Sequence, residues 1–203
     1  MLAWTDVRPG DTFFVPAGTV HTIGPGVVLC EVQQNSDITY RFYDYKRPGV
    51  DGKPRPLHIE QALDVLKWRT PGGRTAPLET NSEPDERQCL AACPYFTTEK
   101  LTISSALEHR VEGRVEIWIA LDGEARFAGG GETAACRRGE AVVLPAALES
   151  VEIHPVSTAV FLRTFPPEPE ADVRAPWLAQ GFSEQELRRV CFPAGPVAGK
   201  GRG

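Results

Sequence analysis

His21 is the residue whose type and setting best suit metal chemistry. It ends a segment that begins at Gly10, in which a glycine, five residues, a proline, one residue, a glycine, two residues and the histidine follow one another. Pro16 ends a strand and Gly18 permits a tight turn, so the histidine is held at the start of the next strand. An isolated histidine is more often an ordinary turn residue, but neutral imidazole is a common zinc ligand, and the complete spacing favours that role here.

Three further candidate side chains follow His21 on predicted strands. β-branched and aromatic residues between turn signals predict strands at residues 12–15, 27–32 and 38–43. Glu31 interrupts the second of these strands, whereas Arg41 and Tyr43 share one face of the third. Each of these side chains is either a solvated strand residue or part of a pocket, and the pattern leaves both interpretations open.

The elements that must position these residues indicate an all-β chain. The sequence has 203 residues, with 19 glycines and 18 prolines, which suits turn-rich sheets. One amphipathic helix is predicted at residues 58–68, on the outside of the sheets. A second, short helix is predicted from the capping box at residues 183–186 through Val190. Six more strands are predicted, at residues 101–106, 115–121, 124–127, 141–144, 151–153 and 159–164, with Asp122-Gly123 as a hairpin signal.

The Gly10 to His21 spacing recurs in the second half of the chain without its histidine. Gly139 and Pro145 repeat the first glycine and the proline, and Ser150 stands where the histidine is expected. Upstream, Ile119 and Leu121 take positions at which a metal-binding copy would carry ligands. The repeat predicts two similar barrels, of which only the first binds a metal. The three other histidines are interpreted as structural, namely His58, His109 and His154.

Charge and cysteine content exclude several classes of protein. The net charge is −5 and basic residues do not cluster, which argues against nucleic acids and anionic membranes as partners. No apolar run reaches the roughly 18 residues of a membrane-spanning helix, so we expect a cytoplasmic protein. The five cysteines lack metal-ligand spacing and suit free thiols, with Cys89 and Cys93 in a helical turn.

Three blocks of sequence resemble one enzyme family. The spacing that ends at His21 resembles the second signature motif of the cupin barrels, which hold a metal among histidines and a carboxylate or glutamine. The blocks FVPAGTVH (residues 14–21), EVQQNSDITYRFYDY (31–45) and LHIEQALD (57–64) together resemble the short bacterial form of type I phosphomannose isomerase. The resemblance covers roughly residues 10–68.

This resemblance implies an isomerase that interconverts mannose 6-phosphate and fructose 6-phosphate with one zinc ion. It implies that His21 is a zinc ligand and that Arg41 is an active-site arginine. Zinc would polarise the sugar oxygens, and a fixed guanidinium would stabilise the oxyanion of an enediolate. Glu31 and Tyr43 are candidate substrate-binding residues on strand geometry alone, and the proton-transfer base is not identified.

The repeated spacing and the resemblance to the isomerase family together predict two cupin-like double-stranded β-helix barrels with one or two peripheral helices. Residues 1–69 are interpreted as the C-terminal part of the metal-binding barrel with its outer helix, and residues 70–95 as a linker. Residues 96–165 are interpreted as a second, metal-free barrel. Residues 166–203 are expected to form a Pro-rich tail with a short helix, either mobile or lying on the surface.

The resemblance leaves the zinc ligands incomplete. Family members carry further ligands upstream of the His21 motif, whereas only nine residues precede Gly10 here. A catalytic zinc usually has three protein ligands. We therefore expect the C-terminal portion of an isomerase: a fragment or mispredicted start, half of an enzyme completed by an upstream partner chain, or a decayed protein. The alternatives from other classes are a non-catalytic sugar-binding or regulatory cupin and another metal cupin such as an oxygenase.

Overall fold

The fold is described by a computed structural model that covers residues 3–36, 38–68, 72–80 and 86–193. No helix within these ranges is long and apolar enough to cross a membrane. Strands dominate over short helices, so the predicted all-β class is confirmed. The strands are β1 (Phe13–Phe14), β2 (Gly73–Arg74), β3 (Leu78–Thr80), β4 (Glu86–Ala92), β5 (Thr97–Ile103), β6 (Leu107–Arg110), β7 (Glu116–Asp122), β8 (Glu124–Gly129), β9 (Glu132–Arg137), β10 (Ala141–Leu144), β11 (Ser150–Pro155) and β12 (Ala159–Phe165). The helices are α1 (Ile59–Val65), a π-helix (Pro169–Arg174), α2 (Ala175–Ala179) and α3 (Glu184–Leu187).

Two antiparallel sheets form a barrel in the second half of the chain. The larger sheet has the strand order β10-β7-β12-β5-β4-β3, and the smaller one has the order β6-β11-β8-β9. Inward-facing side chains of both sheets meet in one apolar core. Within it, Trp118, Phe127 and Phe161 pack edge to face, with ring centroids 5.5 to 6.0 Å apart. These three rings therefore pack together within the apolar interior of the barrel.

The turn between β7 and β8 lies at the predicted Asp122-Gly123 signal, but it is not the expected hairpin, because β7 belongs to the larger sheet and β8 to the smaller one. Gly123 has a φ of +71°, a conformation that favours glycine. A Cβ at this position would lie 2.8 Å from the backbone oxygen of Thr158. Glycine is thus required here both for its backbone conformation and for the close approach of a neighbouring segment.

The six strands predicted in this half of the chain are present, with some shifted ends. The prediction for residues 141–144 coincides with β10, whereas the strand predicted at 101–106 runs instead over Thr97–Ile103. Strands β4, β6 and β9 were not predicted. Strand β9 has exposed side chains at every position except one, so its sequence lacks the alternation that would have identified it.

The linker expected at residues 70–95 is a wrong prediction for most of its described residues. They contain β2, β3 and β4, whereas residues 70, 71 and 81–85 lie outside the described chain. Strand β4 pairs with β5, and Leu78 and Cys89 are buried. The polar residues that suggested a linker find partners in the sheet, as Arg87 does with Glu99. The helical turn predicted at Cys89 is wrong for the same reason, and the domain boundaries stay predictions.

Two strands predicted before α1 are not formed. Strand β1 occupies part of the predicted residues 12–15 and pairs with β2, but residues 27–32 and 38–43 contain no strand. A strand persists only where a neighbour accepts and donates its backbone hydrogen bonds. No described segment pairs with these residues, and the apolar side chains of Val28 and Ile38 are exposed. Of the predicted first barrel, the described residues therefore form only the short pair of β1 and β2.

Helix α1 is shorter than predicted and lies open to solvent on most sides. It spans Ile59–Val65 within the predicted residues 58–68. Ala62 is buried, but Ile59 and Leu63 of the same predicted apolar face are about half exposed. The expectation that this face packs on a barrel is not met, because the described residues include no sheet beside it.

The C-terminal segment is packed, so of the two expected arrangements the mobile tail is wrong for the described part, which lies against the larger sheet. Trp177, Leu187 and Val190 are buried and form an apolar cluster with Leu78 and Cys89 of the larger sheet. The predicted capping box is confirmed, since the side chain of Ser183 and that of Glu186 each bond the other's backbone N–H. Residues 194–203 lie outside the described chain.

Candidate functional site

A glycine turn positions the histidine with the predicted metal-binding role. The N–H of Thr19 donates to the oxygen of Pro16 at 3.1 Å, which closes the turn after β1. Gly18 has a φ of +86°, and a Cβ there would lie 2.6 Å from the backbone oxygen of Val65 at the end of α1. The N–H of Lys67 also donates to Gly18 at 3.0 Å. The turn is therefore fixed against the end of the helix.

The imidazole of His21 is exposed and held in one orientation. Its Nδ1 lies 2.9 Å from the backbone oxygen of Thr19, which can only accept a hydrogen bond. The proton must therefore be on Nδ1 in the neutral ring, which leaves the lone pair of Nε2 free. A histidine that donates one ring N–H to a carbonyl and presents the other nitrogen has the arrangement of many metal ligands.

Two hydrogen bonds hold the backbone of Arg41 against the histidine that precedes α1. The N–H of Arg41 donates to Nδ1 of His58 at 3.3 Å, and the N–H of His58 donates to the oxygen of Arg41 at 2.8 Å. This pairing accounts for His58 as a structural residue. The guanidinium of Arg41 is half-buried and has no ion pair within the described part of the chain.

One contact connects the His21 segment with the segment that follows Arg41. The hydroxyls of Thr22 and Tyr45 lie 2.7 Å apart. The ring of Tyr45 in turn packs edge to face against Tyr43, with centroids 5.1 Å apart. Tyr43 and Glu31 are both exposed, and no described contact joins Glu31 or Arg41 to the imidazole. The structure brings the two segments together without assembling the four predicted residues into one pocket.

Asp44 anchors the end of this second segment. Its buried carboxylate accepts hydrogen bonds from Arg55 at 2.6 Å and from Arg47 at 3.0 Å. The bond from Arg55 is the main reason that the pKa of Asp44 lies below its usual value, although burial acts in the opposite direction. These pairs restrain a turn in which Tyr45 and Lys46 have φ angles of +51° and +54°.

A zinc site cannot be completed from the described residues. They contain no group of three or more histidine, cysteine, aspartate or glutamate side chains that could hold a metal. His21 fits the requirements of a single ligand, whereas a catalytic zinc usually has three from the protein. The five cysteines are free thiols, and three of them are buried.

The repeated motif adopts the same turn in both copies. The N–H of Leu148 donates to the oxygen of Pro145 at 3.0 Å, as Thr19 does to Pro16. Ile119 and Leu121 were expected to stand where a metal-binding copy of the repeat would carry its ligands. This expectation is wrong, because these side chains point away from the barrel interior. The inward positions of β7 belong to Glu116, Trp118 and Ala120, one residue out of register with the expectation.

The polar end of the second barrel holds an ionic network that the sequence did not reveal. Glu99 and Glu116 are fully buried. Arg163 donates to both oxygens of Glu116, at 2.9 and 2.6 Å, and to Glu99 at 3.3 Å. Arg87 also donates to Glu99, at 3.0 Å. The alternation of β7 was the available signal, since it places the carboxylate of Glu116 on the same face as Trp118.

His109 joins this network and is more than a packing residue. Its Nε2 lies 2.8 Å from Oε2 of Glu116, and its ring packs edge to face on Trp118. Burial raises the pKa of Glu116, but the hydrogen bonds from His109 and Arg163 outweigh burial and lower this pKa to about 2. The carboxylate therefore stays ionised inside the barrel at neutral pH.

Comparisons with family models, with individual protein sequences and with solved structures all lead to the same family. Residues 86–163 match the family model described as mannose-6-phosphate isomerase, cupin domain. The mannose-6-phosphate isomerase of Streptococcus mutans is 37% identical over 150 residues, which are 74% of this chain and 47% of that protein. Mannose-6-phosphate isomerase ManA of Bacillus subtilis is 34% identical over 145 residues, which are 71% of this chain and 46% of that protein. The chain thus spans about half the length of the curated relatives that it matches.

A solved structure shows the same fold. The crystal structure of the mannose 6-phosphate isomerase from Bacillus subtilis superposes with a TM-score of 0.54 and 24% identity. The match covers 64% of this chain and 41% of that one. The cupin fold predicted from the spacing around His21 is therefore confirmed for the chain.

Proposed function

Because the chain belongs to the mannose-6-phosphate isomerase family, we propose that it is the C-terminal part of an isomerase that interconverts mannose 6-phosphate and fructose 6-phosphate. The similarity to relatives that carry this name covers about three quarters of the chain and supports the proposal. The chain spans about half of those relatives, so the activity belongs to a larger unit in which this chain is one part.

His21 is the residue that we propose as a metal ligand of that unit. The observation that carries the proposal is its hydrogen bond to Thr19, which commits Nδ1 and leaves Nε2 free. Zinc is the metal implied by the resemblance, but the described residues do not fit a complete zinc site. We therefore propose that further ligands come from outside these residues, and we derive no step of the reaction through the metal.

Arg41 is the residue that we propose to act on the reacting sugar. Moving a hydrogen between the first two carbons of the sugar passes through an enediolate, whose oxygen carries negative charge. A guanidinium without a competing carboxylate can donate two hydrogen bonds to such an oxyanion. The two hydrogen bonds with His58 fix the backbone position from which Arg41 would reach the oxyanion. Glu31 and Tyr43, both exposed, are proposed to contact the hexose phosphate.

The setting proposed for this function is the cytoplasm. Cys89, Cys93 and Cys136 are buried free thiols, which suits a reducing compartment. The net charge of −5 supports a small-molecule substrate rather than a nucleic acid or membrane partner.

The proposal can be tested with the chain alone and with a hybrid enzyme. In the hybrid, the half of the Streptococcus mutans isomerase that this chain does not match is joined to residues 10–193. We expect the chain alone to bind no stoichiometric zinc and to show no turnover, and the hybrid to gain both. His21→Ala should remove zinc and activity from the hybrid, because it deletes one ligand.

The matched control is His154→Ala, which removes an exposed histidine paired with Glu152 on β11. It should leave zinc content and turnover of the hybrid unchanged. Turnover by the chain alone would contradict the proposal that it is only one part of the isomerase. A hybrid that holds zinc but does not convert mannose 6-phosphate would contradict the isomerase function.

A further inference from the structure

A cavity of about 530 Å³ opens at the polar end of the second barrel. Its walls come from β4, β6, the segment after β6, β12 and the C-terminal helical segment. Neither His21 nor Arg41 lines it. The cavity is therefore separate from the residues to which we assign the isomerase reaction.

Arginines dominate the lining of this cavity. They are Arg87, Arg110, Arg114 and Arg163. The carboxylates nearby are already committed to three of them, since Arg87 shares Glu99 with Arg163. Arg163 holds Glu116 and Glu99, whereas the terminal nitrogens of Arg114 hold Asp172 and Glu112. No acidic side chain of the lining is left over to neutralise a further cation.

Unused hydrogen-bond donors remain on three of these arginines. Arg87 uses Nε and Nη2 on Glu99, and its Nη1 makes no bond among the described residues. Arg110 is exposed and has no ion pair with any described residue. The Nε of Arg114 is buried without a partner. The uncommitted groups of this cavity are therefore cationic donors.

Aromatic rings hold the guanidinium groups in place. Phe165 lies between Arg163 and Arg114, whose Cζ atoms are 4.4 and 4.6 Å from its ring centroid. Arg87 lies 5.3 Å over the ring of Trp177. Stacked guanidinium groups are weakly hydrated and lose little freedom when they bind an anion. The donors of the cavity are thus pre-organised for a ligand.

We propose that this cavity binds a small molecule that carries a phosphate or carboxylate group. Guanidinium forks match the oxygen pairs of both groups, and bonds to such charged acceptors are the stronger ones in proteins. Arg110 supplies the unpaired positive charge from β6, and Arg87 adds a donor from β4 in the other sheet. The site would bind its ligand whether or not the isomerase is complete.

The test is isothermal titration of the full chain at low salt, where electrostatic binding is least screened. The probes are inorganic phosphate, mannose 6-phosphate, citrate and uncharged mannose. We expect binding of one or more of the charged probes and none of mannose. The comparison of phosphate with citrate distinguishes the two chemical groups. Arg110→Ala should weaken the binding about tenfold, since it removes a charge-assisted contact of that order.

Arg126→Ala is the matched control, because this arginine is also exposed and lies on β8 of the same sheet. It should leave the affinity unchanged, and thermal melting should show that both variants are folded. Equal weakening in the two variants would mean that the anion binds to the overall charge, which would overturn the proposal. Failure of all charged probes to bind at millimolar concentration would overturn it as well.

Discussion

The ring of Phe14 stacks on the ring of Phe192, with centroids 4.0 Å apart and planes only 6° from parallel. This contact joins β1, which leads into the His21 turn, to the end of the described C-terminal segment. That segment is itself tied to β4, because the N–H of Phe192 donates to the oxygen of Ala92 at 2.8 Å. The C-terminal segment thus holds β1 and the turn that leads to His21 against the second barrel.

Phe192→Ala should therefore loosen the N-terminal strand. Loss of the stacked ring removes aromatic packing worth about 1 kcal/mol beyond its buried area. We expect faster hydrogen–deuterium exchange at residues 12–15 and an unchanged core in β7 and β12. Val156→Ala, at a residue that is 74% exposed, is the control and should alter neither region. Uniform acceleration across the barrel would show that the contact acts on global stability instead.

Gly18→Ala should destabilise the turn before His21 more than an ordinary glycine substitution does. Gly10 and Gly18 both have positive φ angles, of +91° and +86°. Only at Gly18 would the added Cβ meet a backbone atom, whereas Gly10 has open space. Gly10→Ala should cost about 1 kcal/mol through backbone strain alone, and Gly18→Ala clearly more. Denaturant unfolding of both variants measures the difference, and equal losses would contradict the close approach to α1.

Glu116→Gln should remove part of the acid sensitivity of the protein. The folded state lowers the pKa of Glu116 from 4.5 to about 2, so its ionised form contributes stability above pH 4.5. That contribution is lost as the pH falls from 4.5 towards 2. We expect the free energy of unfolding of the native protein to fall over this range by on the order of 2 kcal/mol more than that of the variant.

The exposed residue Glu79, which accepts a hydrogen bond from Gln88 at 2.9 Å, provides the control for this experiment. Glu79→Gln should follow the native pH dependence. Denaturant unfolding at a series of pH values gives the curves, and a Glu116→Gln curve parallel to the native one would exclude this role for the buried network.

Arg41→Lys should lower the turnover of the hybrid enzyme more than its affinity for substrate. Lysine keeps the charge but loses the fork that donates two hydrogen bonds to one oxyanion. Removal of such a donor typically lowers kcat about a hundredfold or more. Arg8→Lys, at an exposed arginine before β1, should leave both kcat and KM unchanged. A change confined to KM would assign Arg41 to substrate binding alone.

The positions of the turns were predictable, because each turn depends on residues that are close together in the sequence. The turn at Asp122-Gly123, the capping box at Ser183 and the repeated turn after Pro16 and Pro145 all lie where the sequence places them, although the first joins two sheets and not two paired strands. Short runs of apolar residues likewise located β10 and β12. These features are local, so a single sequence contains the information that they require.

Strand pairing and burial of charge depend on residues that are distant in the chain. Residues 27–32 have the composition of a strand but no described partner, whereas the polar span that includes β4 becomes sheet because β3 and β5 flank it. Glu99 and Arg163 are separated by more than sixty positions, and their contact inside the barrel has no local signal.

The sequence by itself determined the all-β class, singled out His21 by its type and spacing, and resembled the family closely enough to identify it, whereas the hydrogen bond to Thr19 in the structure decided which ring nitrogen stays free. Only the tertiary structure decided that Arg87, Arg110, Arg114 and Arg163 share one cavity and that the C-terminal segment is packed. The physical reason is that a charge is stable inside a barrel only when distant strands bring it a partner.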